Sequence, residues 1–205
     1  MKFRKLKKIY NEKYNNLPDS YEEQLKYLIT KTGINESDIK DEIERITGIQ
    51  WEEINMSFPI IPYPTPRPRS SSNGIFYVEG ARENWNYMKQ SIESKKVIST
   101  AVIFRVDCYF PIPDTMNRKE KILAQMGYIK PLSGGDWDNL GKTYSDAIQQ
   151  ILIINDNIII DGRCTKNYCI KPRVDIHIEY QLDYDCSYNR RKIESTVSYK
   201  KLIQK

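Results

Sequence analysis

The sequence predicts an α/β fold of the α+β kind, in which helices pack on a mixed sheet behind a short helical hairpin. Apolar and polar residues alternate near 97–110 and 172–181, and this alternation is typical of half-buried strands. Helices are predicted near 81–95, near 114–127 as a charged helix, and near 138–152, where apolar residues recur at helical spacing. Helices interleaved with strands in this way indicate a layered domain around one hydrophobic core.

The polar first part of the chain, residues 1–56, has a helical pattern. Ser20 followed by Glu23 resembles a capping box, and Gly33 is placed to end that helix. A second helix is predicted up to Gly48. We therefore predict a helical N-terminal extension over 1–56 that serves as an accessory element.

The rest of the chain divides into a main domain, residues 57–183, and a basic C-terminal tail, residues 184–205. Within the main domain, further strands are predicted at Ile75–Val78 and near 158–168. The tail has a weak pattern, so we expect it to be mobile or to pack only on a partner.

Composition limits the class of protein. The chain has 205 residues, of which 40% are hydrophobic and 29% charged, as in ordinary soluble domains. Its net charge of +5 is compatible with nucleic acid as a partner. No apolar run is long enough to cross a membrane and no secretory signal is visible, so we expect an intracellular protein without a membrane partner. The four cysteines lack a C-x-x-C pair, which argues against a structural zinc site.

A proline-rich segment opens the main domain. Residues 58–69 contain five prolines, which keep the backbone extended, and Arg67 and Arg69 alternate with prolines there. A plain linker is the ordinary interpretation of such a segment. Two guanidinium groups on a rigid, extended backbone would nevertheless lose little conformational entropy on binding phosphate. Both arginines are therefore candidate DNA contacts.

The stretch with the clearest chemical signal follows Gly134-Gly135 and leads into a predicted helix. Asp138 and Lys142 lie one turn apart on its polar face, and Asp136 can turn toward the same point. Asp138 could instead be a helix N-cap with Lys142 as its ion-pair partner.

A second polar cluster, Asn155-Asp156-Asn157, lies between two strongly apolar runs. We expect a tight turn here that returns the chain to the start of the preceding helix. Asp156 would then add a third carboxylate for a hard cation such as Mg²⁺, which prefers oxygen ligands. A register shift of one residue would place Asn157 at that position instead.

These features together resemble the RusA family of phage and prophage Holliday junction resolvases. The resemblance covers roughly residues 57–182 and includes the Arg67-Pro68-Arg69 segment. The residues that carry it are Asp136, Asp138, Asn139, Leu140, Lys142, Asp146, Ala147, Asp156, Asp161 and Lys166.

The resemblance implies a RusA-like endonuclease domain, an obligate homodimer and paired nicks across a four-way DNA junction in recombination and repair. It implies Mg²⁺ as the cofactor, with Mn²⁺ as an alternative ion, and a phage or prophage protein acting in the cytoplasm of a bacterial host. Two departures are Asn155, where the family usually has aspartate, and Gly141, where it usually has an apolar residue. Carried over, the metal ligands would be Asp136, Asp138 and Asp156, the catalytic lysine Lys142, and the DNA contacts Arg67, Arg69 and Lys166.

Two other functions fit the same residues. A branched-DNA-binding module without catalysis would use the basic residues as phosphate contacts and the carboxylates structurally. A metal-dependent enzyme acting on RNA or on a DNA flap would share the whole site, and substrate assays separate it from a junction resolvase.

Overall fold

The chain forms two compact units, Met1–Gly48 and Ile49–Lys205. A computed structural model describes residues 3–64, 69–71, 74–76, 80–92 and 96–203. The division falls after Gly48 and not at the predicted boundary at residue 56, because Trp51–Phe58 is a strand of the second unit's sheet.

The first unit is helical, and the two predicted helices are confirmed. The Ser20 hydroxyl accepts a hydrogen bond from the backbone N–H of Glu23 at 3.3 Å, and Gly33 ends the same helix at φ 66°. A further helix precedes this pair. The bounds of the helices are Phe3–Tyr14 (α1), Tyr21–Thr32 (α2) and Glu36–Thr47 (α3).

The second unit contains a mixed sheet, as predicted. Within the described residues the strands are Trp51–Phe58 (β1), Arg69–Ser71 (β2), Gly74–Phe76 (β3), Val102–Pro111 (β4), Ile159–Cys169 (β5) and Arg173–Gln181 (β6). The main sheet has the order β1-β6-β4-β5, in which β4 and β5 are parallel and the other pairs antiparallel. Strands β2 and β3 pair separately. Strand β5 is therefore an edge of the main sheet.

Three helices of this unit follow the predicted order, namely Gly80–Ser91 (α4), Arg118–Gln125 (α5) and Trp137–Ile148 (α6). Helix α6 ends earlier than the predicted residue 152, because Gln149 is extended and Gln150 adopts a positive φ of 61°. Among the helices in the described ranges, none combines the length and apolar character needed to cross a bilayer.

The C-terminal segment differs from its predicted behaviour. It forms helices Ser187–Glu194 (α7) and Val197–Ile203 (α8), where a tail with a weak pattern was expected. Ile193 and Tyr199 pack against the core, and the Tyr184 hydroxyl donates to Ser99 Oγ at 2.9 Å. These apolar contacts explain why the segment is ordered on its own chain.

The core lies between one face of the sheet and helix α6. Strand β4 buries every second residue, as its alternation predicts, and α6 presents an apolar stripe to the same core. Burial of each large apolar side chain contributes about 1.5–3 kcal/mol. The contributing residues include Val102, Phe104, Val106, Leu140, Tyr144, Ile148, Val174, Ile176 and Ile178. The polar face of α6 is thereby left facing solvent.

Candidate active site

A glycine turn sets the approach to α6. Gly134 and Gly135 have φ values of 93° and 113°, which side-chain-bearing residues rarely adopt. A Cβ atom on Gly134 would lie 2.8 Å from Phe110 Cε1, and one on Gly135 would lie 2.5 Å from Pro64 Cγ. The turn is therefore packed directly between strand β4 and the proline-rich segment. A residue larger than glycine at either position would clash with one of these neighbours.

The proline-rich segment is held against α6 by a buried tyrosine. The backbone N–H of Tyr63 donates to the Tyr144 hydroxyl at 3.1 Å, and burial raises the pKa of Tyr144 above its usual value. Pro64 completes the contact at the glycine turn. Of the two candidate arginines that follow, Arg67 lies outside the described residues and Arg69 begins β2. Their contact with DNA stays a prediction.

The loop before α6 is also fastened to the edge strand β5. The Lys166 ammonium donates to the carbonyl oxygens of Ser133 at 3.4 Å and Gly135 at 3.3 Å. The Trp137 indole N–H donates to the carbonyl oxygen of Cys164 at 2.8 Å. Lys166, predicted as a DNA contact, therefore holds the loop that carries the candidate carboxylates, and its contact with DNA stays a prediction.

Asp136 and Asp138 lie at the start of α6, and both side chains are exposed. Asp136 occupies the N-cap position, but within the described part of the chain its carboxylate caps no backbone N–H and accepts from Asn139 Nδ2 at 3.4 Å. Asp138 lies in the first turn. The alternative in which Asp138 is the N-cap is therefore wrong. Both carboxylates remain available to a ligand beside the positive end of the helix.

Lys142 joins two carboxylates. Its ammonium nitrogen lies 3.1 Å from Asp146 Oδ1 and 3.4 Å from Asp156 Oδ2, so its ion pairs run to these residues. Asp146 Oδ1 also accepts from Gln149 Nε2 at 2.8 Å. The hydrogen bond from Lys142 to Asp146, with a smaller contribution from Asp156, raises the pKa of the lysine above its usual value. Lys142 is therefore cationic throughout the neutral range.

The Asn155-Asp156-Asn157 triplet forms a 3₁₀ turn, Asp156–Ile158, that enters β5. The Asn155 side chain accepts from the N–H of Asn157 at 3.1 Å, and Ile158 is buried. The Asn155 hydrogen bond and the burial of Ile158 fix the turn, and Asp156 is the residue of the triplet that contacts Lys142. The turn therefore meets the polar face of α6 at Lys142, one turn beyond the helix start that the sequence predicted.

The structure thus brings together Lys142 and Asp156, and it places Asp136 and Asp138 together at the start of α6. Across the described residues, no three histidine, cysteine or acidic side chains are grouped closely enough to hold a metal ion. The ligand set of Asp136, Asp138 and Asp156 stays a prediction. Asp146 was not among the predicted site residues, although its position four residues after Lys142 was a usable signal.

The chemistry of the donors fits Mg²⁺. Carboxylate oxygens are hard ligands, and Mg²⁺ is commonly held by one or two of them, with waters and substrate phosphates completing an octahedron. Exposed Asp136 and Asp138 can provide such ligands, and half-buried Asp156 already faces a cation in the form of Lys142. A bound ion would lower the pKa of its water and neutralise charge on the scissile phosphate.

Comparison with known proteins identifies the family of the second unit. The family model of the endodeoxyribonuclease RusA matches residues 59–179, a range that contains every candidate residue named above. The uncharacterized protein YqaN of Bacillus subtilis (strain 168) is 28% identical over 127 residues, a match that covers 57% of this chain and 89% of that protein. The chain belongs to the RusA family of endodeoxyribonucleases, which are nucleases of the Holliday junction resolvase type.

Proposed function

We propose that this protein is a Mg²⁺-dependent endonuclease that resolves four-way DNA junctions by paired phosphodiester hydrolysis in recombination and repair. The observation that carries the proposal is the contact between Lys142 on α6 and Asp156 on the 3₁₀ turn. These residues belong to two separate parts of the family motif, and folding makes them neighbours.

In the proposed site, Asp136, Asp138 and Asp156 hold Mg²⁺, and Mn²⁺ can replace it. When bound, the ion activates water and offsets the negative charge of the phosphate. Lys142 contributes a fixed positive charge where charge develops in the transition state. Asp146 positions Lys142 through the 3.1 Å ion pair. The glycine turn, which Lys166 holds against β5, orients the first two carboxylates.

Branched DNA is the substrate class that the family implies, and contact is proposed to be mainly with phosphates. Arg67 and Arg69 come next in the sequence after the segment that Tyr144 and the glycine turn hold beside α6, and both are proposed as phosphate contacts. A two-fold homodimer would present two such sites to the matching pseudo-symmetry of a four-way junction. Phosphate contacts of this kind weaken steeply as salt concentration rises.

Cleavage of a labelled synthetic four-way junction and a matched linear duplex tests this function. Wild type, Asp138→Asn and the control Asp114→Asn are compared in Mg²⁺ and in EDTA. Asp114 is a fully exposed carboxylate whose ion pair, 4.0 Å long, is with Lys121. We expect symmetric paired nicks in the junction with wild type and Asp114→Asn, and none with Asp138→Asn or EDTA.

Other results would identify the competing functions. Tight junction binding without cutting in Mg²⁺ or Mn²⁺ would favour the non-catalytic binding module. Preferential cutting of RNA or of a flap would retain the metal chemistry and reject the junction as substrate. Elution of the protein as a monomer with full resolving activity would reject the homodimer.

A further inference from the structure

An exposed tryptophan lies between the two candidate carboxylates at the start of α6. Trp137 is 59% exposed, although tryptophan is among the most highly buried residues on average. Asp136 and Asp138 are its immediate neighbours in the chain. Adjacent Cα atoms are about 3.8 Å apart, so the backbone of Trp137 is flanked directly by that of both candidate ligands.

The indole ring is held in place by its one polar atom. Its N–H donates to the carbonyl oxygen of Cys164 on β5 at 2.8 Å, so hydrogen bonding is already satisfied on the protein side. The surface that remains exposed is therefore aromatic carbon. A ring fixed in this way loses little side-chain entropy when a flat ligand stacks on it, which makes it a suitable platform for stacking.

The loop that leads to Trp137 is fastened along β5 by two lysines, one on the loop and one on the strand. Lys130 donates to Asn167 Oδ1 at 2.6 Å, and Lys166 holds two carbonyl groups of the glycine turn. The same loop exposes Leu132, which is 95% accessible. Anchored lysines beside an exposed aromatic ring are the combination with which proteins bind unpaired nucleotides, through phosphate contact and base stacking.

We propose that Trp137 stacks on an unpaired or unstacked base of the DNA strand at the branch point, next to the phosphate that is cut. This inference rests on the proposed function and assigns one residue to substrate selection. Bases in a continuous duplex are already stacked on both sides, so such a platform favours sites where stacking is interrupted. Trp137 therefore selects the branch point over linear duplex.

A second copy of this chain is the competing occupant of the exposed ring. DNA is favoured because Trp137 lies between two candidate metal ligands, where the scissile phosphate must come, and because Lys130 and Lys166 hold the neighbouring loop. A partner protein over the ring would cover the carboxylates that the substrate has to reach.

The test measures binding without cutting, in an Asp138→Asn background with EDTA. Fluorescence anisotropy gives the dissociation constant for a four-way junction, for the same junction with abasic sites flanking the branch point, and for linear duplex. The added variants are Trp137→Leu, Trp137→Phe and the control Trp51→Leu. Trp51 is 40% exposed on strand β1, the opposite edge of the sheet from β5. Circular dichroism and light scattering establish folding and oligomeric state.

We expect Trp137→Leu to weaken junction binding about 5- to 100-fold, as the loss of one stacked base predicts. Duplex binding should stay unchanged, Trp137→Phe should retain most of the affinity, and abasic sites should abolish the difference between variants. Trp51→Leu should behave as the background. An equal loss of affinity for junction and duplex, or no loss of affinity for either, would overturn this inference alone. Dissociation of an oligomer by Trp137→Leu would do the same. Failure of the background protein to bind the junction would overturn both this inference and the proposed function.

Discussion

The ammonium nitrogen of Lys142 lies 3.4 Å from Oδ2 of Asp156, a residue 14 positions later in the chain and on a different element. The same nitrogen lies 3.1 Å from Asp146 on its own helix. One cation is thereby shared by two carboxylates, of which Asp156 is a predicted metal ligand. From this arrangement we expect two separable roles for Lys142, a charge for the proposed reaction and a competitor for the proposed metal.

Replacement of Lys142 by alanine should separate catalysis from binding. We expect Lys142→Ala to bind the four-way junction nearly as well as wild type and to lower single-turnover cleavage by about 10²–10³-fold, the usual effect of removing a group that stabilises developing charge. The control is Lys121→Ala, whose lysine forms a long 4.0 Å ion pair with Asp114. Loss of junction binding with unchanged turnover per bound junction would contradict this role.

The same variant should bind metal more tightly. In the proposed site, Mg²⁺ would have to displace the Lys142 ammonium from Asp156. Lys142 is 65% exposed, so this ion pair is worth about 0.2–1 kcal/mol, and its removal should strengthen metal binding by about 1.4- to 5-fold. Titration of Mn²⁺ followed by electron paramagnetic resonance gives the affinity. Equal or weaker binding by Lys142→Ala would show that the lysine does not compete for the ion.

Asp146 is expected to act by positioning Lys142. Asp146→Asn keeps the size of the side chain and removes the charge that the ammonium faces at 3.1 Å. Because small displacements of catalytic groups can cost up to about 100-fold, we expect slower cleavage with unchanged junction affinity. Single-turnover kinetics and anisotropy on the same junction measure the two quantities. A change in affinity with an unaltered cleavage rate would place Asp146 in substrate binding.

The glycine turn should tolerate no side chain, whereas Gly141 in α6 should tolerate replacement by alanine. In Gly135→Ala the backbone strain at φ 113° costs about 1–3 kcal/mol. The clash of the new Cβ with Pro64 Cγ at 2.5 Å adds to this cost. In the control Gly141→Ala, the added Cβ meets Cys164 Cβ at an ordinary 3.7 Å, and the helix gains about 1 kcal/mol.

Thermal unfolding distinguishes these two glycine variants. Since 1 kcal/mol corresponds to about 2–4 °C for a protein of this size, Gly135→Ala should lower Tm by several degrees and Gly141→Ala should raise it slightly. Gly135→Ala should also slow cleavage, because the turn orients Asp136. A Gly135→Ala protein with the Tm of wild type would refute the packing described for the turn.

Lys166 and Arg69 should affect DNA binding in different ways. Lys166 donates to two loop carbonyls at the protein surface, so Lys166→Met should lower stability by about 0.5–1.5 kcal/mol, the net contribution of a hydrogen bond, and slow cleavage. Arg69→Ala should instead reduce the slope of log affinity against log salt by about one, as the loss of one phosphate contact predicts. Salt titrations of both variants on one junction provide the measurement. A reduced salt slope for Lys166→Met would make Lys166 a direct DNA contact.

The sequence by itself determined the features that depend on residues close together in the chain. The alternation of β4 and β6, the Ser20 cap and Gly33 end of α2, and the apolar face of α6 all follow from local spacing. The family motif is equally local, since its signature occupies two short stretches around Asp138 and Asp156.

Only the tertiary structure decided the features that depend on contacts between distant segments. Most residues of 51–58 are exposed, and apolar and polar residues alternate only weakly among them. This segment is a strand because it pairs with β6. The C-terminal helices owe their order to Ile193 and Tyr199 on a core formed elsewhere in the chain. Lys142 bonds to Asp156, and Lys166 to the glycine turn, because chain packing places those acceptors within reach. Spacing along a sequence specifies which face a residue occupies, but the neighbour across that face is set by the path of the whole chain.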